Sequence, residues 1–240
     1  MTQKILAISG HKRAGKTTCI NFLHGYELQR NNVIEKFMLD DRGSLLVNAT
    51  FIDEKGEEVE QMGRLDLNSQ DARFVEYCSI NIWPFVKAYN FADSLKSIAI
   101  NFFGLTYEQC YGSEKEKNTP SPVKEYTARE FLQYFGTDIC RELKEDIWVD
   151  FCISKIQSEQ SQLALVGDCR FPDEVKAIQD VGGKVIRLTR TPHEDSHVSE
   201  TALDTFEGFD ATIDNQDMGV DEQSKELLNI LSEWGWLESV

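Results

Sequence analysis

The stretch "ISGHKRAGKTT", Ile8–Thr18, decides the architecture of this chain. It takes over from the apolar run "KILAIS" (Lys4–Ser9) and leads into "TTCINFLHGYEL", which has helical periodicity. Gly10, Gly15, Lys16 and Thr17 give the spacing G-x-x-x-x-G-K-[ST]. Glycine lets the backbone curl until successive N–H groups point inward, and the helix that follows adds the positive end of its dipole. Such a loop wraps an anion. Lys16 can reach β- and γ-phosphates, and the Thr17 hydroxyl can ligate magnesium. Strand, loop and helix in this order predict that the chain binds a nucleoside triphosphate.

Composition narrows the partners. A length of 240 residues suits one α/β domain with insertions, and 41% hydrophobic residues are enough for a packed core. The formal charge of −16 argues against a general nucleic-acid binder, because a phosphate backbone requires a positive face. The cations instead stand in short clusters, which suits capture of a small phosphate compound. No stretch approaches the ~20 apolar residues of a membrane span, and "MTQKILAIS" reads as a first strand rather than a leader. Six cysteines show no C-x-x-C spacing, and no histidine has a cysteine partner at zinc-ligand spacing. Buried free thiols in a reducing cytoplasm are expected. Cys169 stands apart only because its neighbours carry chemistry.

Strand-like runs at 4–9, 86–91, 162–167, 184–189 and 211–214 alternate with helix-like runs at 15–29, 92–103, 127–141, 146–159, 171–181 and 222–233. This alternation predicts a mostly parallel sheet with helices on both faces. The strand order is not legible in it. Residues 41–67 break the rhythm, alternating at period two around "DEKG", and predict an antiparallel β-hairpin outside the sheet. The polar segment "YGSEKEKNTPSPVKEYT", with Pro120 and Pro122, reads as a mobile loop.

Four more stretches carry candidate chemistry. In "LALVGDCRFPDEVKAI" a buried-type strand ends at Asp168, where a P-loop enzyme needs an acid to organise magnesium and its waters. Arg170 follows, and Pro172 marks the start of a helix. A plain helix N-terminal acid with an exposed arginine is the simpler alternative. In "TAREFLQYFGTDICRELKEDIWVDF", Phe131, Leu132, Phe135 and Ile139 recur at helical spacing as core, leaving Arg129, Gln133, Thr137, Asp138 and Arg141 off that set. Thr127 and Glu130 make a capping box, and Trp148 reads either as core or as a wall beside a base. In "NFADSLKSIAINFFGLTYEQCYG", Lys96 lies just past a strand's carboxyl end, on the ligand side of an open α/β sheet. Finally "TRTPHEDSHVSE" offers Arg187 just upstream, Arg190, His193 and His197, without a third metal ligand, and reads as a polar flap over phosphates.

Together these residues resemble the phage deoxynucleoside monophosphate kinases of the P-loop nucleotide kinase group. The resemblance rests on "GHKRAGKTT", "FADSLK" with "FGLTYEQCYG", "LQYFGTD" followed by "DIWV", "GDCRFPDEVKAI" with "GGKVIRLTR", and "HVSETALD" before "FDATIDN". Ser94 departs from it, standing where the family often has proline. The resemblance implies the P-loop NTPase three-layer fold, as one kinase domain over 1–240 with the hairpin at 41–67 and an acceptor-binding helical region at about 68–145. It implies transfer of a phosphoryl group from ATP, with Mg2+, to a deoxynucleoside monophosphate. ATP would be held by Gly10, Arg13, Ala14, Gly15, Lys16, Thr17 and Thr18. Lys16, Arg13, Asp168 and Arg170 would act on the moving group, with magnesium on Thr17 and, through water, on Asp168. The acceptor would meet His11, Lys12, Lys96, Arg129, Gln133, Gly136, Thr137, Asp138, Trp148, Asp168 and Glu174. Small nucleotides, no nucleic acid, no membrane, a homodimer and a cytoplasmic location (the host cell's, for a phage protein) complete the expectation.

Two rival classes keep the same loop. A kinase for another small phosphate compound, of the dephospho-coenzyme A or phosphomevalonate type, would change only the acceptor pocket. A nucleotide-binding switch or ATPase is the other, although a GTPase switch would carry an N-K-x-D motif and this sequence has none.

Overall fold

The computed structural model describes residues 3–52, 56–67, 69–191 and 201–237. Strand β1 (Lys4–Ser9) is buried from Ile5 to Ser9. A strand with apolar side chains on both faces must be covered on both, which is the condition at the centre of a parallel sheet. It pairs in parallel with β6 (Leu163–Cys169) on one side and β7 (Lys184–Leu188) on the other. β7 pairs in parallel with β8 (Ala211–Ile213), and β5 (Val86–Tyr89) lies beyond β6. The order β5-β6-β1-β7-β8 therefore puts the strand that precedes the glycine-rich loop in the middle.

Alternation along β1 assigns the two helical layers. Leu6 and Ile8 join the core built with α1 (Lys16–Arg30) and α9 (Val220–Glu233), through Leu23, Leu28, Leu227 and Leu231. Ile5 faces the opposite way. A Cβ on Gly183 would press on Ile178 of α8 (Pro172–Asp180) and on Ile5, so α8 covers the second face. This is the α/β three-layer arrangement expected of a P-loop fold. The strands of this sheet fall within two residues of the expected runs.

The expected hairpin is present and larger. β3 (Leu45–Ile52) and β4 (Glu58–Arg64) pair antiparallel, and β2 (Phe37–Leu39) adds a third strand in a sheet of its own. A strand of three residues is too short to leave a period-two signal. Most of the "DEKG" turn falls outside the described residues. Helix α2 (Ala72–Asn81) was not expected. It begins where Asp71 Oδ1 accepts hydrogen bonds from the backbone N–H groups of Arg73 and Phe74, both at 3.0 Å.

Contacts divide the chain into two compact units: residues up to Ala88 with those from Glu159 onward, and Tyr89–Ser158. In the second unit α3 (Asp93–Phe103), α4 (Tyr107–Tyr111) and α6 (Ala128–Gln133) gather around Ala99, Leu105, Cys110, Ala128 and Phe131. The segment expected as a loop contains a one-turn helix, α5 (Glu114–Lys117), and an isolated bridge between Pro120 and Thr127. Reciprocal caps explain the difference. Thr106 with Gln109, and Ser113 with Glu116, close helices too short to show periodicity. After α6 the helix widens into a π-helical turn, Tyr134–Arg141, and α7 (Ile147–Glu159) follows.

Candidate active site

The loop expected to hold phosphate runs from the end of β1 to the start of α1. Gly15 takes the left-handed conformation (φ 103°, ψ 11°) immediately before the helix, where a side chain would be strained. The Ala14 N–H donates to the His11 carbonyl at 3.1 Å, which tightens the turn. Lys16 folds back on it, Nζ donating to the Gly10 carbonyl at 2.7 Å and the His11 carbonyl at 2.8 Å. The ammonium thus lies against the loop from which its own helix starts. Arg13 is exposed and also left-handed (φ 62°), and a non-glycine outlier of this kind is typical of functional loops. Thr17 is exposed and Thr18 half-buried on the first turn of α1.

Two buried amides brace this loop from behind. Asn215 Nδ2 donates to the Ala14 carbonyl (2.7 Å) and to Gln223 Oε1 (2.6 Å), while its Oδ1 accepts from the Arg190 N–H at 2.9 Å. Gln223 Nε2 in turn donates to the Gly15 carbonyl at 3.3 Å and to Cys19 Sγ at 3.1 Å. Burial pushes the Cys19 thiol up to about 12, so the sulfur stays neutral as an acceptor. Neither amide was singled out in the sequence. Asn215 lies in "FDATIDN", but a buried amide that braces carbonyls has no spacing signature.

The end of β6 lies alongside this loop. Ser9, the last residue of β1, is in register with Cys169. Cys169 is fully buried, and burial together with Glu174, Asp168 and Asp173 raises its thiol well above the ordinary range. All six cysteines are buried free thiols. Asp168 and Arg170, on either side of it in sequence, are partly exposed. Glu174 is buried, and its Oε2 accepts from the N–H groups of Arg170 (2.6 Å) and Phe171 (3.1 Å). That carboxylate fixes the backbone under Arg170 and opens α8.

The neighbouring β7 supplies a second cationic anchor. Arg187 donates to Ser9 Oγ at 3.1 Å and pairs with Asp204 at 2.9 Å, and His11 Nε2 meets the same Asp204 oxygen at 2.8 Å. Asp204 therefore ties the loop's His11 to the strand. Arg190 is held on the carbonyls of Asn215 and Met218. The two arginines expected in a flap are thus braces of the loop's surroundings, because carboxylate and carbonyl acceptors lie within their reach. His193 and His197 lie outside the described residues. Lys12 is partly exposed on the loop itself.

In the second unit, the Lys96 ammonium sits 4.3 Å from the centre of the Tyr111 ring, and the Tyr111 hydroxyl donates to Asp93 at 3.3 Å. Arg129 pairs with Glu114 at 2.7 Å. Gly136 is buried against Leu95, and a Cβ there would fall 2.6 Å from its Cδ2. Trp148 is buried, and its indole N–H donates to the Gly136 carbonyl at 3.0 Å. A π-helical turn leaves backbone groups displaced from the α-helical ladder, and such turns are frequent at functional sites. Thr137 and Asp138, next along that turn, are exposed, and Gln133 is partly exposed at its start.

The donor set suits a hard cation. Thr17 offers a hydroxyl and Asp168 a carboxylate, the oxygen ligands that magnesium combines with phosphates and water. Among the described residues no group of His, Cys, Asp and Glu could hold a metal unaided, and no helix is long and apolar enough to cross a membrane.

Comparison with known proteins agrees with this geometry. The family model described as deoxynucleotide monophosphate kinase matches residues 4–225. A protein of Acanthamoeba polyphaga mimivirus named "Putative deoxynucleotide monophosphate kinase" is 29% identical, over 52% of this chain and 73% of its own length.

Proposed function

From the premise that the chain belongs to the deoxynucleotide monophosphate kinase family, we propose how its residues carry out phosphoryl transfer from ATP to a deoxynucleoside monophosphate. The observation that carries the reading is the loop at the end of β1, with Lys16 folded over it and the end of β6 in register beside it. The backbone from Gly10 to Thr18 holds the donor phosphates. Lys16, Arg13 and Arg170 neutralise charge on the moving phosphoryl group, and Lys12 and His11 stand on its acceptor side. Thr17 and, through water, Asp168 hold Mg2+, which supplies further charge neutralisation when bound.

The acceptor's α-phosphate oxygen is already a competent nucleophile, so no strong general base is needed. Catalysis consists of aligning two anions and stabilising the charge between them. Lys96 and Arg129 bind the acceptor's α-phosphate, while Gln133, Gly136, Thr137, Asp138 and Trp148 shape the space for sugar and base. Glu174 contributes by holding Arg170. On this reading the protein works as a cytoplasmic homodimer on free nucleotides, without nucleic acid.

The test is ADP release from ATP with a panel of acceptors. The four common deoxynucleoside monophosphates should support turnover in preference to their ribonucleotide partners. Turnover only with dephospho-coenzyme A or phosphomevalonate would replace this acceptor assignment with the rival kinase.

A further inference from the structure

The antiparallel insertion is joined to the phosphate-loop helix at three successive points. Phe37 of β2 lies on α1 at Gly25, where a Cβ would sit 2.3 Å from its ring. Nearer the loop, Asn21 Nδ2 donates to the Gly43 carbonyl at 2.7 Å. At the first turn of α1, Gly43 meets Thr18 itself: a Cβ on Gly43 would fall 2.3 Å from Thr18 Oγ1 and 3.0 Å from its Cβ and Cγ2.

The turn that makes this contact is braced from within. Asp40 Oδ1 accepts from the N–H groups of Arg42 (2.9 Å) and Ser44 (2.8 Å), and the Gly43 N–H donates to the Asp40 carbonyl at 2.8 Å. The bonds from the N–H groups of Ser44 and Arg42 hold the Asp40 carboxyl below its ordinary range. Gly43 is left-handed (φ 74°), a conformation that asparagine also tolerates in turns. Thr18 is what requires the absence of a side chain there. Packing of Phe37 on Gly25 and burial of Leu45 already fix the sheet to the helix. The contact at Thr18 adds a constraint on one phosphate-loop side chain.

The geometry points to the β2–β3 turn as a positioning element for the donor nucleotide, with Gly43 and Asn21 acting through Thr18. This rests on the reading that the loop and Thr18 hold ATP. The turn walls one side of the Thr18 side chain and restricts its rotamers, so the hydroxyl is ordered before ATP arrives. Ordering a binding group in advance removes an entropic penalty from the binding step.

The experiment is calorimetric titration of ATP into the full chain with no acceptor present, alongside steady-state KM values for a deoxynucleoside monophosphate. Gly43→Ala and Asn21→Ala should each weaken ATP binding by about three- to tenfold, the scale of a partly lost hydrogen bond, with acceptor KM unchanged. Phe37→Leu should lower Tm and leave ATP affinity as in the wild type. If Gly43→Ala does not fold, Asn21→Ala carries the test, since it removes one partly buried amide and introduces no clash. ATP affinity within about twofold of wild type in both Gly43→Ala and Asn21→Ala would overturn the inference. So would an equal loss in Phe37→Leu, which would signal general loosening. A chain that binds ATP but phosphorylates no deoxynucleotide would overturn the proposed function and still leave this comparison readable.

Discussion

Asn215→Ala is the sharpest perturbation of the loop's support. It removes the amide that donates to Ala14 and Gln223 and accepts from Arg190. Three polar groups, two of them buried, then lose a partner at once, and each buried group so orphaned costs about 1–3 kcal/mol. Water entering the vacated space returns part of this. A net loss of about 3–4 kcal/mol is expected, a large share of the roughly 5–15 kcal/mol that holds a domain folded. Urea unfolding followed by circular dichroism reads the stability, and calorimetric ATP titration of the folded fraction reads the site. ATP affinity should fall about tenfold, because the Ala14 carbonyl is no longer pinned from behind and Gln223, which holds Gly15, loses its own donor. Asn215→Asp should be at least as damaging. It retains the acceptor for Arg190 but turns a carboxylate oxygen toward the Ala14 carbonyl. A stability change under about 0.5 kcal/mol with unaltered ATP affinity would refute the bracing argument.

Lys16→Ala should leave the fold intact and reduce phosphoryl transfer by orders of magnitude, measured as kcat; near-normal turnover would remove the phosphate-loop assignment. Arg129→Ala should raise KM for every acceptor about equally, whereas Trp148→Phe, which loses the bond to Gly136, should change their ranking; the reverse pattern in initial rates would exchange the two roles. His24 is buried, which pushes it from 6.5 down to about 4, so the unfolded chain binds more protons between those values. Stability should rise with pH across that window and be lost as pH falls, by up to about 3 kcal/mol. The urea midpoint of His24→Leu should lack this slope, and an unchanged slope would show that other groups cause it.

The parallel sheet was legible because four of its five strands are runs of four to seven residues set beside a helical period, and three-residue β8 fell into the same alternation. The loop was legible because its function demands glycines at fixed positions. Apart from the ten-residue α2, what escaped the sequence falls under two causes: short elements and contacts between distant segments. β2 has three residues, α5 has four, and the caps that stabilise α4 and α5 act over a single turn. Asn215, Gln223, Asp204 and Gly43 act on the loop from segments remote from it in sequence, and no local pattern marks them. Trp148 left two readings open. Its indole is buried and also bonded to Gly136, so packing and placement of the π-helical turn are one role.

The most direct test of the account follows the phosphoryl group itself. ATP carrying a radiolabel in the γ-phosphate is incubated with the purified chain, Mg2+ and one deoxynucleoside monophosphate at a time, and the products are separated by ion exchange. The account predicts label in the β-phosphate of the corresponding deoxynucleoside diphosphate, lower by orders of magnitude with Lys16→Ala. Label appearing only as inorganic phosphate, with every deoxynucleotide returned unchanged, would contradict it.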